Sequence, residues 1–101
     1  MTKRLPPVHP GEILREEAMV PIGLSANRLA RELGIPASRV LEIVNGRRGI
    51  SADTALRLGR YFGTGEQFWM NLETNYDLAV ARDANGKAIE RAVKPRELTP
   101  A

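Results

Sequence analysis

The sequence contains no cysteine and a single histidine, His9. Without cysteine the chain has no disulfide framework, no thiolate metal site and no cysteine nucleophile. A metal site would need further ligands beside His9, so we expect this residue to pack at the start of a helix. No apolar run approaches the about 20 residues that cross a membrane, and the N-terminus lacks the apolar core of a signal peptide. We therefore expect a soluble cytoplasmic protein.

Catalytic machinery is also missing from the sequence. Ser25, Ser38 and Ser51 have no histidine in a motif that would activate them, and there is no glycine-rich phosphate loop. We therefore predict that the protein is not an enzyme, binds no metal and needs no cofactor.

Charge is unevenly distributed along the chain, whose net charge is +3. Residues 25–60 contain seven arginines and three acidic residues, whereas residues 61–86 contain four acidic residues and one arginine. A basic centre beside an acidic flank predicts one surface for phosphates and another for a basic partner. The alternative is that both are ordinary solvated helix faces, and only their position in the fold decides between the two.

Apolar periodicity and turn residues predict five helices and no sheet. The predicted helix starts are Pro10, Ser25, Pro36, Ser51 with Asp53, and the capping-box pair Thr64 with Gln67. The predicted stops are Pro21 with Gly23, then Gly34, then Asn45 with Gly46. The predicted fold class is all-α: a compact five-helix domain over residues 1–82, followed by a short C-terminal extension over residues 83–101.

Residues 25–46 have the spacing of two short helices that cross at a glycine turn. Ala30 is small enough for the helices to approach, and Gly34 suits the left-handed conformation that ends the first of them. Val40 and Ile43 are three positions apart, so they lie on one face of the second helix, which packs against the first. This is the layout of a helix-turn-helix unit, whose second helix lies in a DNA major groove.

The outer face of that second helix follows by subtraction if Val40, Ile43 and Val44 face the core. The candidates for reading base edges are then Ala37, Ser38, Arg39 and Glu42. Their side chains suit, in order, a thymine methyl, hydrogen bonds to more than one base, a guanine, and a cytosine amine. For Arg39 a phosphate contact stays equally open.

Polar side chains also cluster at both ends of the helix pair, where they predict contacts with the DNA backbone. The phosphate candidates are Ser25, Asn27 and Arg28 before the unit, and Asn45, Arg47 and Arg48 after it. The alternative is that they are only caps and surface residues. Ser25 suits both roles, because a cap leaves its hydroxyl proton free.

The fifth predicted helix carries Phe68, Trp69, Leu72 and Tyr76 at helical spacing. Such residues form either the core of one subunit or a dimer interface. The two alternatives are compatible if one edge of the helix faces the core and another edge faces a second subunit. After residue 81 the pattern weakens: residues 83–86 (DANG) predict a turn, and residues 87–93 fit a helix or a strand. We predict that this extension takes part in association, with a second copy of the chain or another partner, and that residues 98–101 are frayed.

Four stretches of the sequence carry a family resemblance. They are residues 9–14 (HPGEIL), 43–47 (IVNGR), 51–58 (SADTALRL) and 68–78 (FWMNLETNYDL). Through them the chain resembles, over residues 8–82, the HigA-type antitoxins, a branch of the Cro/CI-like (XRE) helix-turn-helix regulators. The last stretch is the most discriminating, although that family often has glutamine where Glu73 stands.

The resemblance implies an antitoxin that represses its own operon by binding operator DNA as a homodimer. It also implies that the chain neutralises a HigB-type toxin, a small basic ribosome-dependent mRNA endonuclease. One alternative is a stand-alone XRE-type transcriptional repressor without a toxin partner, which a small basic protein encoded next door would argue against. Another is a helical bundle that binds only proteins, which a mobility-shift assay on upstream DNA would test.

Overall fold

A computed structural model describes residues 6–97, which form helices joined by short turns. The α-helices are α1 (Pro10–Ile13), α2 (Ala26–Leu33), α3 (Ala37–Val44), α4 (Ala52–Phe62) and α5 (Glu66–Ala92). This part of the chain contains no strand, so the all-α, five-helix prediction is confirmed. Within the same residues, no helix is both long enough and apolar enough to cross a membrane.

The first helix begins where the sequence predicts, and His9 is its N-cap. The Nδ1 atom of His9 accepts a hydrogen bond of 2.9 Å from the backbone N–H of Gly11, and the imidazole ring meets Tyr76 edge-on at 4.8 Å. The expected packing of His9 at a helix start is thus confirmed. After α1 the chain continues as a π-helical stretch, Leu14–Met19, and a 3₁₀ turn, Val20–Ile22, which ends at Gly23.

Helices α2 and α3 meet at the predicted glycine turn. The Ser25 hydroxyl accepts a 3.1 Å hydrogen bond from the N–H of Arg28, and Gly34 closes α2 in the left-handed conformation at φ 71°. The prediction that Pro36 is the first helical residue is wrong by one position. Its ψ of 143° is extended, so Pro36 is the N-cap and α3 begins at Ala37. An N-cap residue keeps extended backbone while its carbonyl accepts the first bond of the helix, here 3.1 Å from the N–H of Arg39.

The core lies between α2, α3, α4 and the first turns of α1 and α5. Its largest fully buried side chains are Trp69, Leu14, Leu29, Ile43, Leu58, Val40 and Thr54. Helix α1 crosses α3 so closely that a Cβ on Gly11 would lie 1.7 Å from the carbonyl oxygen of Ile43. Only glycine fits there, and this contact fixes the angle at which α1 supports α3.

The two remaining predicted caps have different outcomes. Ser51 is the N-cap of α4, and its hydroxyl accepts a 3.2 Å bond from the N–H of Thr54, as predicted. The capping box predicted for α5 is wrong, because the N-cap is Gly65 and no side chain caps it. The hydroxyl of Thr64 donates to the Gly65 carbonyl instead, and Gln67 donates to Asn71 one turn later. The close approach of Gly65 to the backbone of Gly59 in α4 sets this geometry.

Helix α5 runs without interruption through residues 83–86, so the turn predicted there is wrong. One Asn and one Gly cost a helix at most about 1 kcal/mol each relative to Ala. A hairpin turn is stable only where two strands pair across it, and the described residues offer no strand. The domain boundary predicted after residue 82 therefore falls inside a helix, and the division of the chain there stays a prediction. The fraying predicted for residues 98–101 lies outside the described residues.

Candidate nucleic-acid interface

Helix α3 presents one polar face to solvent and buries the other. Val40, Ile43 and Val44 are buried, as the subtraction assumed. Ser38 is exposed, and Arg39 and Glu42 are half-buried. The prediction that Ala37 lies on the outer face is only partly right, because Ala37 is half-buried and packs against the core.

Leu41 lies on the outer face of α3, although it was not among the candidates predicted from the sequence. It is 44% exposed in the middle of α3, one turn after Ala37 and Ser38. The signal was present in the sequence, since a residue four positions after an outward-facing one shares its face. An exposed leucine on this helix is chemically suited to contact a thymine methyl.

Arg39 is held by an acidic residue from the next helix. Its Nη1 lies 3.8 Å from Oδ2 of Asp53, and the same oxygen accepts a 2.9 Å bond from Nε of Arg57. Arg57 also donates 2.8 Å to the carbonyl of Leu33, at the end of α2. Asp53 and Arg57 thus tie together the three helices around the glycine turn. Sequence reasoning read Asp53 only as a cap and assigned no role to Arg57.

A second ion pair joins a base-reading candidate to a phosphate candidate. Nε of Arg48 lies 3.5 Å from Oε1 of Glu42, with both side chains nearly half exposed. Exposed pairs of this kind contribute about 0–1 kcal/mol. Glu42 and Arg48 therefore exchange partners at little cost when phosphates or bases approach.

The phosphate candidates all lie on the surface of the molecule. They are Ser25, Asn27, Arg28, Asn45, Arg47 and Arg48, and each is exposed. Arg28 pairs with Glu32 one turn along α2, at 3.0 Å. The guanidinium of Arg47, in contrast, makes no ion pair with any of residues 6–97.

The turn after α3 is held by hydrogen bonds at both ends. The N–H groups of Asn45 and Arg47 donate to the carbonyls of Leu41 and Glu42, at 3.0 and 2.8 Å. At the far end, the N–H of Ile50 donates 2.6 Å to Oε1 of Glu73, a carboxylate of α5. The turn carries Arg47 and Arg48 between these two anchors.

Glu73 is a buried acid that sequence reasoning did not identify as such. It is only 9% exposed, and this burial raises the pKa of its carboxyl above the ordinary value of 4.5. The Ile50 hydrogen bond acts in the opposite direction, and the neighbouring Asp77 raises the pKa further. Position 73 lies one turn after Trp69, on the buried face of α5, which is the signal that could have found it.

An open cleft of about 390 Å³ lies between α3, this turn and the start of α4. It is lined by Arg39, Arg48, Gly49, Ser51, Asp53 and Thr54. The guanidinium groups of Arg39 and Arg48 suit an anion such as a backbone phosphate, and Asp53, the one carboxylate in the lining, already pairs with Arg39 and Arg57.

The aromatic stretch divides between the core and the surface. Trp69 is buried, whereas Leu72 and Tyr76 are half-buried. Phe68 is 44% exposed and meets Trp69 edge-on at 5.0 Å. Of the two alternatives stated for this stretch, burial in one chain fits Trp69, and only an interface with another molecule would cover Phe68.

Comparison with known proteins agrees with this geometry. The model of a family described as a helix-turn-helix domain matches residues 12–67. A Pseudomonas aeruginosa antitoxin HigA, solved with the higBA promoter, is 54% identical, with a TM-score of 0.87 over 90% of this chain and 99% of that one. The chain belongs to the HigA family of helix-turn-helix antitoxins.

Two further members of the comparison extend the likeness beyond one organism. A HigA-family addiction module antidote protein from Coxiella burnetii is 51% identical, with a TM-score of 0.87 over 91% of this chain and all of that one. Virulence-associated protein I of Dichelobacter nodosus is 58% identical over 76% of this chain and 71% of its own length. The HigA-type resemblance inferred from the four sequence stretches is therefore confirmed.

Proposed function

We propose that this chain is an antitoxin that represses its own operon and neutralises a HigB-type toxin. The observation that carries the proposal is an exposed polar face on α3 with exposed arginines at both ends of the helix pair, in a member of the HigA family. The likeness to a HigA solved with the higBA promoter supports operator DNA as the ligand. Such a function places the protein in the cytoplasm, where its DNA lies.

Base reading is assigned to the outer face of α3. Ser38 is the most accessible polar side chain of the N-terminal turn, which enters deepest into a major groove. Arg39 and Glu42 reach bases only after leaving Asp53 and Arg48, their partners in the free protein. Ala37, being partly buried, contributes shape and a methyl contact.

Backbone gripping is assigned to both ends of the helix pair. Two sets of residues would contact backbone phosphates. One set, before the helix pair, is Ser25, Asn27 and Arg28, and the other, after it, is Asn45, Arg47 and Arg48. Arg47 is the strongest candidate, because no carboxylate within residues 6–97 competes for it. Binding through phosphates releases counterions, so affinity should fall steeply with salt.

Dimer formation is assigned to the exposed apolar side chains of α5. Phe68, Leu78 and Ile89 are 44%, 47% and 53% exposed, and Leu78 and Ile89 line one groove along the helix. A twofold dimer would present two α3 helices to successive major grooves about 34 Å apart, on an inverted-repeat operator. The region of residues 83–101 belongs to this interface or to the toxin site.

Toxin binding is assigned to a surface other than the α3 face. Within residues 61–86, three exposed acidic residues, Glu66, Asp77 and Asp83, stand against one arginine, Arg82, which suits a basic partner. A toxin bound there would couple to operator affinity, because both ligands act on one dimer.

Co-expression with the small basic protein encoded in the adjacent reading frame tests the proposal. We expect the pair to co-purify, the toxin's growth arrest to disappear, and a reporter under the upstream promoter to be repressed. A stand-alone repressor would silence the reporter without rescuing growth. Failure of both readouts, with the protein shown to be folded, would refute the proposed function.

A further inference from the structure

We infer that Glu73 is a positioning residue for DNA binding: its carboxylate holds the turn that carries Arg47 and Arg48 at the height where they grip the DNA backbone. This inference rests on the proposed function, since it specifies how one part of the operator-binding surface is built. Glu73 is buried, so its role would be to position the turn rather than to touch DNA.

The hydrogen bond between Ile50 and Glu73 is a long-range anchor at the exit of the turn that carries Arg47 and Arg48. It joins residues 23 positions apart, at 2.6 Å, and both partners are buried. Ile50 comes two residues after Arg48, so its backbone position sets the exit of the turn. If Glu73 lost its acceptor, the Ile50 N–H would be buried without a partner, and the turn would move to reach water.

The fit between Glu73 and the turn is also steric. A Cβ on Gly49 would lie 2.7 Å from Oε2 and 2.9 Å from Oε1 of Glu73. The turn therefore rests directly on the carboxylate, and glycine at position 49 permits that contact. One carboxylate oxygen accepts the Ile50 N–H and the other lies where a side chain at position 49 would begin, so the carboxyl group and the turn are fitted to each other.

The other end of the turn does not depend on Glu73. The bonds from Asn45 and Arg47 to Leu41 and Glu42 belong to the end of α3. Loss of the Glu73 anchor should therefore leave α3, its base-reading face and the Arg47–Glu42 backbone bond in place, while it frees the exit of the turn from Arg48 to Ile50. That difference separates a positioning role from a general loosening of the domain.

A double-mutant cycle on DNA affinity tests this role. The four proteins are wild type, Glu73→Leu, Arg47→Ala/Arg48→Ala, and the combination of all three changes. In the wild-type background, we expect Glu73→Leu to weaken operator binding about tenfold and to lower the salt slope, because phosphate contacts are lost. In the background without the two arginines, we expect the same change to weaken binding less than about twofold.

Three further variants keep the result interpretable. Glu73→Gln retains an acceptor for Ile50 and should bind within about twofold of wild type. Gly49→Ala keeps every charge but displaces the carboxylate, so it should reproduce the loss even if Glu73→Leu folds poorly. Met70→Ala removes half-buried volume from the same helix without changing the anchor and should bind within about twofold of wild type, once corrected for its folded fraction.

Three differences between variants would overturn the inference, and so would the absence of any difference. They are an equal loss from Glu73→Leu in both backgrounds, a loss in Glu73→Gln as large as in Glu73→Leu, or a loss in Met70→Ala as large as in Gly49→Ala. If wild type binds the operator and all the Glu73 variants bind equally well, the inference fails and the proposed function stands. If wild type shows no preference for the operator, the proposed function itself has failed.

Discussion

Residues 10–80 and the distal part of α5, residues 81–92, are both helical, but only the first of these regions is held by packing. In the first, buried side chains recur on every helix, from Leu14 to Trp69. In distal α5 every residue except Gly86 is exposed. The 27 residues of α5 span about 40 Å, which makes the chain 57 Å long. A compact domain of this size would have a radius of gyration of about 13 Å, whereas the radius of gyration of this protein is 17.6 Å.

The difference shows what each region needs in order to be stable. Helices of residues 10–80 bury apolar faces against one another, which supplies most of the stability of short helices. Distal α5 buries none of its side chains, and it continues directly from the part of the helix that packs on the core. Its exposed Ile89 lines one groove with Leu78 of the preceding turns, and this is the surface that we propose for the dimer.

The largest expected effect contrasts a core residue with a distal one. Leu29→Ala, at a fully buried position, should lower the free energy of unfolding by about 2–5 kcal/mol. Ile89→Ala should change it by less than about 0.5 kcal/mol at protein concentrations where the chain is monomeric. Urea unfolding followed by circular dichroism measures both. Similar losses in the two variants would mean that distal α5 packs on the domain.

A smaller effect separates the two kinds of DNA contact within residues 10–80. Arg47→Ala should weaken binding to all sequences about tenfold, and the slope of log affinity against log salt should flatten by about 0.9 for one lost phosphate contact. Ser38→Ala should mainly change sequence preference, by about 1 kcal/mol between operator and altered half-sites. Fluorescence titrations on operator and scrambled duplexes measure this. An equal loss of preference in both variants would contradict the division of roles.

A still smaller effect concerns the surface of distal α5. Ile89→Ser removes an exposed apolar side chain, so it should raise the dimer dissociation constant about five- to tenfold while leaving the monomer folded. Sedimentation velocity over a concentration series measures the change. Asn75→Ser, a polar change at an exposed position of α5 outside this groove, is the matched control and should dissociate like wild type. A dimer unchanged in Ile89→Ser would place the interface elsewhere.

The smallest expected effect is a pH dependence that arises from Glu73. Because burial raises the pKa of this carboxyl in the folded chain above 4.5, the folded state holds a proton in a window above 4.5 where the unfolded chain has released it. The free energy of unfolding should therefore fall as pH rises through that window. Glu73→Gln cannot titrate, so its stability should not show this fall. The melting temperature of Glu73→Gln minus that of wild type should therefore increase from pH 4.5 towards neutrality. Parallel curves for the two proteins would contradict this.

Much of the fold was predictable because local chemistry and packing agree over residues 25–62. Ser25, Gly34 and Ser51 each have one dominant local role, and Val40 and Ile43 share a face by helical spacing alone. The start of α5 was mispredicted because Thr64 and Gln67 have capping-box spacing, while the contact between Gly65 and Gly59, made in tertiary structure, decides the cap. The predicted turn at residues 83–86 failed for a related reason, since a short turn motif was outweighed by a helix propagating from the core.

The interface shows the same limit. The sequence was sufficient to nominate the exposed arginines and the outer face of α3. It did not show that Asp53 holds Arg39 or that Glu73 holds Ile50, because both contacts join segments that are separate in the sequence: α4 with α3, and α5 with the turn before α4. Spacing along one helix gives a side chain's direction, but its partner on another helix depends on how the two helices cross.

The central claim is that α3 recognises a specific operator. The most direct test is to measure dissociation constants of the wild-type dimer for its own upstream DNA and for a scrambled duplex of equal length, at physiological salt. The account predicts binding to upstream DNA at least about 10³-fold tighter than to the scrambled duplex. Equal affinity for the two duplexes would contradict it.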